Sequence, residues 1–319
     1  MLVLRADPWM PEYGMGFDAP IVADGPEAVA DPFVETRDWS SPRSPGPPDP
    51  GPLWFVDGVR RVDLRLLADD GDRRVPGLFG SFAVGSVRCD RRAAFGDHEV
   101  GRAIVLGGGV RAEAVEAPLA GGRVRFAPST VPGEEPDAPL LGLQELMRRA
   151  EGATAARLAA EEGTLVLADG PLTFHGASAA PVVGVVKRTA RRYLGLEHEA
   201  LVGRLGPGQR TPLFSLGEDE RVRRYSWYAR LVPLRLPWHD HAGIVRCEVR
   251  AGIGEPGHVA ALADRVSALL PTFAGRPTDP RAPQNLAPVG GLEAWLRHRM
   301  GHPGLVRRAL TDWLRGREG

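Results

Sequence analysis

Short apolar runs that end at Gly, Pro or Asp dominate the first half of the chain. From Trp54 onwards they predict successive strands: LWFVDG, VRRVDLRLLAD, GLFGSFAVGSVRCD, GRAIVLGGGVRAEAVEA and GRVRFA. Because the runs are short and separated by turn residues, they predict an antiparallel meander. From about Leu140 to Glu161 the apolar spacing changes to the helical period, and the predicted strands TLVLADG and APVVGVVK follow.

The second half of the chain mixes both patterns. It predicts a basic helix over residues 188–196, strands over WYARLVPL and GIVRCEVRA, and helices near His258–Leu270 and from about Leu292 to Arg315. The segment Ser40–Leu53 is too rich in Pro and Gly for a helix or a central strand, so it predicts an extended connector. We therefore expect an N-terminal extension over residues 1–50 and a main domain over residues 51–319.

Two of the apolar runs end on the same dipeptide, Asp57-Gly58 and Asp169-Gly170. Such an ending predicts a carboxylate at the tip of a buried strand, where the backbone turns. Asp-Gly is also ordinary turn chemistry, so neither pair identifies a site by itself.

A third carboxylate, Glu151, falls on the predicted helix between these strands. At 100° per residue it shares an apolar stripe with four neighbours: Leu143, Met147, Thr154 and Leu158. We expect Glu151 to point to the core, with Arg148 and Arg149 on the solvated side. A buried glutamate needs a metal or a cationic partner, and the pattern leaves both open, together with a helix break at Gly152.

The three acids together predict a divalent-cation site, because clustered carboxylates repel one another unless a cation lies among them. Oxygen ligands favour Mg²⁺ or Mn²⁺ over zinc. Lys187 ends the strand APVVGVVK and, with Arg188, begins a basic patch that suits a phosphate backbone, although a solvated helix face is the alternative. His239 and His241 in WHDHAG lack a third ligand and favour a surface turn.

Composition narrows the class of protein. Of 319 residues, 40 are Lys or Arg and 40 are Asp or Glu, so attraction to nucleic acid must come from local clusters rather than net charge. Cys89 and Cys247 lack the spacing of a zinc site or a disulfide framework, which predicts free buried thiols in a reducing compartment. The start has no signal-peptide pattern and no apolar run reaches membrane length, so we expect a cytoplasmic protein with no membrane association.

The order of strands, helix and strands, with an acid in each part, resembles the ribonuclease H-like architecture. It predicts an α/β fold in which a central mixed sheet with an antiparallel meander is flanked by helices. Taken in order, FVDG, ELMRRAEGATAARL, LVLADGPL and VVGVVKR resemble the NurA nuclease family. The resemblance runs from about residue 50 to the C-terminus, and DGPL followed by the strand ending in Val-Lys is its most specific part.

The resemblance implies a ribonuclease H-like nuclease that cuts DNA with Mn²⁺ and works as a homodimer with a HerA-like hexameric ATPase in end resection for recombination. Position by position, it makes Asp57, Glu151 and Asp169 the metal-binding acids and Lys187 the strand-end lysine. The family's C-terminal contribution to the site is not decided by the sequence. Four residues are open: Asp279, Asn285, Glu293 and His298. Of these we favour Asn285 slightly, as a DNA-binding residue beside Lys187 and Arg188.

The leading hypothesis is thus a metal-dependent DNA nuclease, exo- or endonucleolytic, that acts on single-stranded DNA or on double-stranded ends. A second hypothesis is a NurA-like protein without strong catalysis that docks on a ring ATPase. A third is a transposase-related phosphotransferase, which would yield strand-transfer products.

Overall fold

One large mixed sheet with helices against both faces forms the framework of the protein. The computed structural model describes residues 2–6, 30–48, 51–119, 121–161, 163–173, 181–187, 192–217, 223–234, 239–275 and 285–316. Within these ranges the strands are β1 Leu2–Ala6, β2 Ala30–Asp31, β3 Leu53–Asp70, β4 Arg73–Cys89, β5 Ala93–Leu106, β6 Val115–Leu119, β7 Gly122–Thr130, β8 Leu165–Asp169, β9 Val182–Val186, β10 Phe214–Leu216, β11 Arg224–Arg230 and β12 Ile244–Arg250. The α-helices are α1 Ala138–Ala159, α2 Leu196–Gly203, α3 Pro256–Leu269, α4 Ala287–Arg299 and α5 Pro303–Arg315.

The connectivity combines an antiparallel meander with parallel strands. Strands β3, β4 and β5 pair antiparallel in sequence order. After the α1 crossover, β8 pairs parallel to β3, and β9 pairs parallel to β8. A helical crossover is the usual way to join parallel neighbours. The mixed α/β sheet with a meander and flanking helices is therefore confirmed, with the order β2-β10-β11-β12-β9-β8-β3-β4-β5-β7-β6 and β1 added beside β3.

The predicted turn at Asp57-Gly58 is wrong, because β3 is a single strand of 18 residues. Both residues remain paired with β4, Asp57 opposite Gly85 and Gly58 opposite Val84. Packing of α1 explains the glycine: a Cβ at position 58 would lie 2.5 Å from Glu151 Oε1. Gly58 thus permits close approach of helix and strand rather than a turn.

A separate hydrophobic core lies against each face of the sheet. Because side chains alternate along a strand, Phe55 faces the side covered by α3 and α4, whereas Val56 faces α1. Helix α1 agrees closely with the predicted helix and continues through Gly152 without a break.

Two predicted helices differ from the structure. The stretch predicted from Leu292 to Arg315 is two helices, since Gly301 adopts φ +79° and Pro303 begins α5. Of the predicted basic helix 188–196, residues 188–191 lie outside the described residues. Residues 192–195 are not helical, and α2 begins at Leu196.

The N-terminal segments also contact the sheet. Strand β1 pairs with β3, and β2 pairs with β10. Glu35 accepts hydrogen bonds from the buried Arg210 guanidinium at 2.8 and 3.1 Å. These contacts attach residues 30–48 to the far edge of the sheet.

The burial of both thiols agrees with expectation. Cys89 and Cys247 are buried and form no disulfide, and burial raises the pKa of Cys89 to about 11. In the described part of the chain, no helix combines the length and apolar character needed to cross a membrane.

Candidate functional site

Parallel pairing of β3 and β8 places two aspartates side by side. The last paired residues are Val56 and Ala168, so Asp57 and Asp169 follow next on adjacent strands. Strand β8 ends at Asp169, as predicted, and Gly170 takes a φ of +102° that favours glycine. The register of the sheet, rather than two turns, brings these carboxylates together.

Glu293 joins the two aspartates from α4. One carboxylate oxygen from each of Asp57, Asp169 and Glu293 lies within 4.8 Å of the others. Glu293 shares its helical stripe with three buried apolar residues: Val289, Leu296 and Met300. The sequence signal at Glu151, an acid on an apolar helical stripe, is therefore present at Glu293 as well.

A lysine accompanies this three-carboxylate cluster. Lys187 Nζ lies 2.9 Å from Asp169 Oδ2, directly after β9. Both side chains are largely buried, with 15% of Lys187 and 18% of Asp169 exposed. The positive charge of Lys187 therefore lies next to Asp169 and partly neutralises the acidic cluster.

Glu151 approaches from the opposite face of the sheet. Its Oε2 accepts a 2.8 Å hydrogen bond from Arg148 Nη1, which also donates to the Asp169 main-chain oxygen at 2.7 Å. The prediction of a solvated Arg148 is wrong, since residues three apart lie on the same side of a helix. Arg149 is exposed, as predicted, and pairs with Glu145. Of the two alternatives for Glu151, the structure shows the cationic partner; a metal-binding role stays a prediction.

Burial and mutual repulsion dominate the electrostatics of the cluster. Burial, with the negative charges of Asp169 and Glu151, raises the pKa of Asp57 well above its ordinary range. Burial also raises the pKa of Glu151, although the Arg148 charge opposes this. Asp169, Glu293 and Glu151 each contact a cationic side chain, Lys187, Arg297 and Arg148 respectively.

The residues present fit a divalent cation. Asp57 Oδ2 is buried and has no hydrogen-bond partner within the described residues. Such an oxygen is costly unless a cation or a donor approaches it. With the clustered oxygens of Asp169 and Glu293, it forms an all-oxygen donor set of the kind that Mg²⁺ and Mn²⁺ prefer.

The loop after Asp169 is fixed by a buried ionic group. Leu172 N donates a 2.7 Å hydrogen bond to Glu248 Oε1 on β12. Arg224 and Arg246 both pair with Glu248. Because Glu248 binds the loop three residues beyond Asp169, it positions the strand end that carries this aspartate.

A second ionic group fixes the end of α4. Arg61 Nη1 donates to the Gly301 oxygen at 2.8 Å, and Arg102 Nη2 donates to the Met300 oxygen at 3.2 Å. Arg61 also pairs with the buried Asp63 at 2.7 Å. These bonds satisfy carbonyl groups at the helix end and hold the helix that carries Glu293 against the sheet.

The other predicted residues that the structure describes are not among the three carboxylates of the cluster. Asn285 precedes α4, and its buried Oδ1 has no partner among the residues described. Arg188 and Asp279 lie outside the described residues. His298 is exposed. His239 and His241 lie in a turn, as predicted, and within the described ranges the acidic cluster is the one metal-ligand group found.

Residues 124–289, just over half of the chain, match the family model of the NurA domain. The chain belongs to the NurA domain family. NurA is a family of nucleases that act on DNA. The part that matches the NurA model contains Glu151, Asp169 and Lys187, whereas Asp57 and Glu293 lie outside it.

One solved structure similar to this NurA-domain chain is described as "Crystal structure of NurA with manganese". The two share 12% sequence identity, with a TM-score of 0.21 over 42% of this chain and 23% of the other. The chain thus spans about a quarter of that protein's length. No curated protein matches the sequence.

Proposed function

We propose that this protein is a metal-dependent deoxyribonuclease that hydrolyses phosphodiester bonds, as an exonuclease, an endonuclease or both. The observation that carries the proposal is the convergence of Asp57, Asp169 and Glu293 at adjacent parallel strands, with Lys187 beside them. Membership of a nuclease family supports the same activity.

Asp57, Asp169 and Glu293 are the proposed ligands of Mn²⁺ or Mg²⁺. Glu151 is proposed as a further acid of the site, acting from the α1 side. When bound, the cation supplies Lewis-acid chemistry that activates water and stabilises charge on the phosphate. Lys187 contributes a positive charge that attracts and orients a phosphate group. The Arg148 charge opposes the rise in the pKa of Glu151 that burial causes, and its hydrogen bonds connect α1 to the end of β8.

The proposed fold is ribonuclease H-like. A three-stranded meander, a crossover helix and two parallel strands support it, because they carry the acids in the order that the sequence resemblance implied. Residues 51–319 form the proposed nuclease domain, preceded by an N-terminal extension. Lys187, Arg188 and Asn285 are the proposed DNA-binding residues.

The proposed setting is a cytoplasmic homodimer that works with a HerA-like hexameric ATPase in DNA end resection for recombinational repair. These features rest on the family resemblance. The alternative is a non-catalytic NurA-like docking partner of a ring ATPase. The buried Asp57 oxygen, which has no hydrogen-bond partner among the described residues, favours the nuclease, because such an oxygen destabilises the fold unless a cation binds to it.

The decisive experiment compares cleavage of linear single- and double-stranded DNA in Mn²⁺ and in chelator. We expect Mn²⁺-dependent cleavage by the wild type and loss of at least a hundredfold in Asp57→Asn and in Asp169→Asn, with unchanged circular dichroism. Asp70→Asn, at the exposed end of the same strand as Asp57, is the matched control and should cleave normally. Metal-dependent cleavage that survives in both site variants would overturn the assignment, and an inactive wild type would favour the docking alternative.

A further inference from the structure

An exposed stack of side chains lies beside the carboxylate cluster. The rings of Phe95 and Trp295 are parallel within 9° at a centroid distance of 4.7 Å. The Arg299 guanidinium lies 4.8 Å from the Trp295 ring centroid, and His98 meets that ring edge-on at 4.7 Å. We call Phe95, Trp295, Arg299 and His98 the aromatic stack.

Strand register fixes the distance between the aromatic stack and the cluster. Asp57 pairs with Gly85 on β4, and Gly85 pairs with His98 on β5, so these three residues form one row across the sheet. Two interstrand spacings separate the Cα atoms of Asp57 and His98 by about 10 Å. Directly paired residues share a face, and α4 covers this row with Glu293 at one end and Trp295 at the other.

A bulge in β5 builds the aromatic stack. His98 lies opposite Gly85 and Phe95 lies opposite Val87, so β5 advances three residues while β4 advances two. Regular alternation would send Phe95 and His98 to opposite faces of the sheet. The extra residue brings both to the α4 side, where both contact Trp295.

One face of the aromatic stack is open. Trp295 is covered by Phe95 and by the Arg299 guanidinium, whereas Phe95 is 48% exposed. Phe95 thus lies at the end of a stack that continues through Trp295 to the Arg299 guanidinium. A nucleobase can stack on an exposed aromatic face of this kind. Arg91 and Arg92 are exposed in the turn before β5 and supply positive charge for a phosphate backbone. The nearby Asp97 carboxylate pairs with Arg157 at 3.3 Å.

We propose that Phe95 stacks on a base of single-stranded DNA and so holds the strand next to the carboxylate cluster. The inference rests on the proposed nuclease function and adds to it a contact that recognises a base face without reading its sequence. Because every base has such a face, the contact is expected to tolerate all four bases.

The test measures binding of a fluorescent oligothymidylate and of an abasic oligonucleotide of equal length, by anisotropy in Mn²⁺. An Asp57→Asn background keeps the probes intact. We expect Phe95→Leu to weaken binding of the base-containing probe by about 5- to 150-fold, the range that loss of one stacked base gives. The abasic probe should bind equally to the parent and to Phe95→Leu.

Two variants control for a merely structural effect. Phe95→Trp keeps an aromatic face and should bind the base-containing probe as tightly as the parent. Phe33→Leu removes an equally exposed phenylalanine, 49% accessible, from another part of the chain and should have no effect.

Equal affinity of Phe95→Leu and the parent for the base-containing probe would overturn the inference, and so would a parent that binds neither probe. A changed oligomeric state of Phe95→Leu in light scattering, without a change in DNA affinity, would assign Phe95 to a protein interface instead. The nuclease proposal is tested separately, by DNA cleavage in Mn²⁺ by the wild type and by the loss of that cleavage in Asp57→Asn and Asp169→Asn.

Discussion

Replacing Asp57 with asparagine is expected to stabilise the metal-free protein and to remove its response to manganese. The reason is that the Asp57 carboxylate is buried beside Asp169 and Glu293 at oxygen separations of up to 4.8 Å. Two unit charges at that distance repel by about 3.5 kcal/mol at an effective dielectric constant of 20. The charge on Lys187 opposes this repulsion.

We therefore expect Asp57→Asn to raise the free energy of unfolding in chelator by about 2 kcal/mol at neutral pH. For a chain of this size that corresponds to a rise of about 3 °C in Tm. Saturation with Mn²⁺ should reverse the ranking. At a hundred times its Kd, a ligand of the folded state adds about 2.7 kcal/mol, and the variant forfeits most of this gain.

The dependence on pH follows from the raised pKa of Asp57. A carboxyl whose pKa is higher in the folded than in the unfolded state binds protons more tightly when folded. Its contribution to stability is therefore fully present below the unfolded value near 4 and is lost as pH rises through the folded pKa. In chelator, the wild type should gain stability relative to Asp57→Asn when the pH is lowered from 8 towards 5.

Thermal unfolding followed by circular dichroism, in chelator and in Mn²⁺ from pH 5 to 8, measures all three effects. Asp70→Asn serves as the exposed control on the same strand and should follow the wild type. Two results would refute the reasoning. One is an Asp57→Asn protein that is less stable than the wild type in chelator, and the other is an equal Mn²⁺-induced rise in Tm for both.

Two further substitutions test the neighbourhood of the cluster. Lys187→Met removes the cation that contacts Asp169, so it should lower the Tm in chelator by several degrees and slow DNA cleavage by at least tenfold in Mn²⁺; normal cleavage would exclude a role for this amine. Gly58→Ala places a Cβ 2.5 Å from Glu151 Oε1 and should lower the free energy of unfolding by about 1–3 kcal/mol in urea denaturation. Gly46→Ala, where a Cβ meets nothing within 4 Å, is its control, and equal stabilities would show that α1 does not need the glycine.

Residues set by local patterns were predictable. The strand that ends at Asp169 and the strand that precedes Lys187 follow directly from apolar runs with clear ends. The helix that carries Glu151 follows from its 3.6-residue period. These signals depend on neighbours in sequence, so one sequence suffices to find them.

Features set by tertiary packing were not predictable from the sequence. Asp57-Gly58 carries the same signal as Asp169-Gly170, yet Gly58 lies inside a strand because α1 presses against it. The helical stripe marks Glu293 as facing the core, but its meeting with Asp57 and Asp169 depends on how α4 packs against the sheet. The spacing of Arg148 and Glu151 is visible in the sequence, but the contact of Arg148 with the Asp169 backbone depends on how α1 packs against β8.

The assembly of the cluster from distant parts of the chain affects how the protein folds. Asp57 and Asp169 are 112 residues apart in sequence, and Glu293 is a further 124 residues along. Such non-local contacts form late, because loop closure must precede them. Repulsion among the carboxylates is therefore absent from the early steps and acts mainly on the completed structure. Interactions of this kind change the unfolding rate more than the folding rate. Cation binding should accordingly lengthen the lifetime of the folded protein while leaving the speed of refolding nearly unchanged.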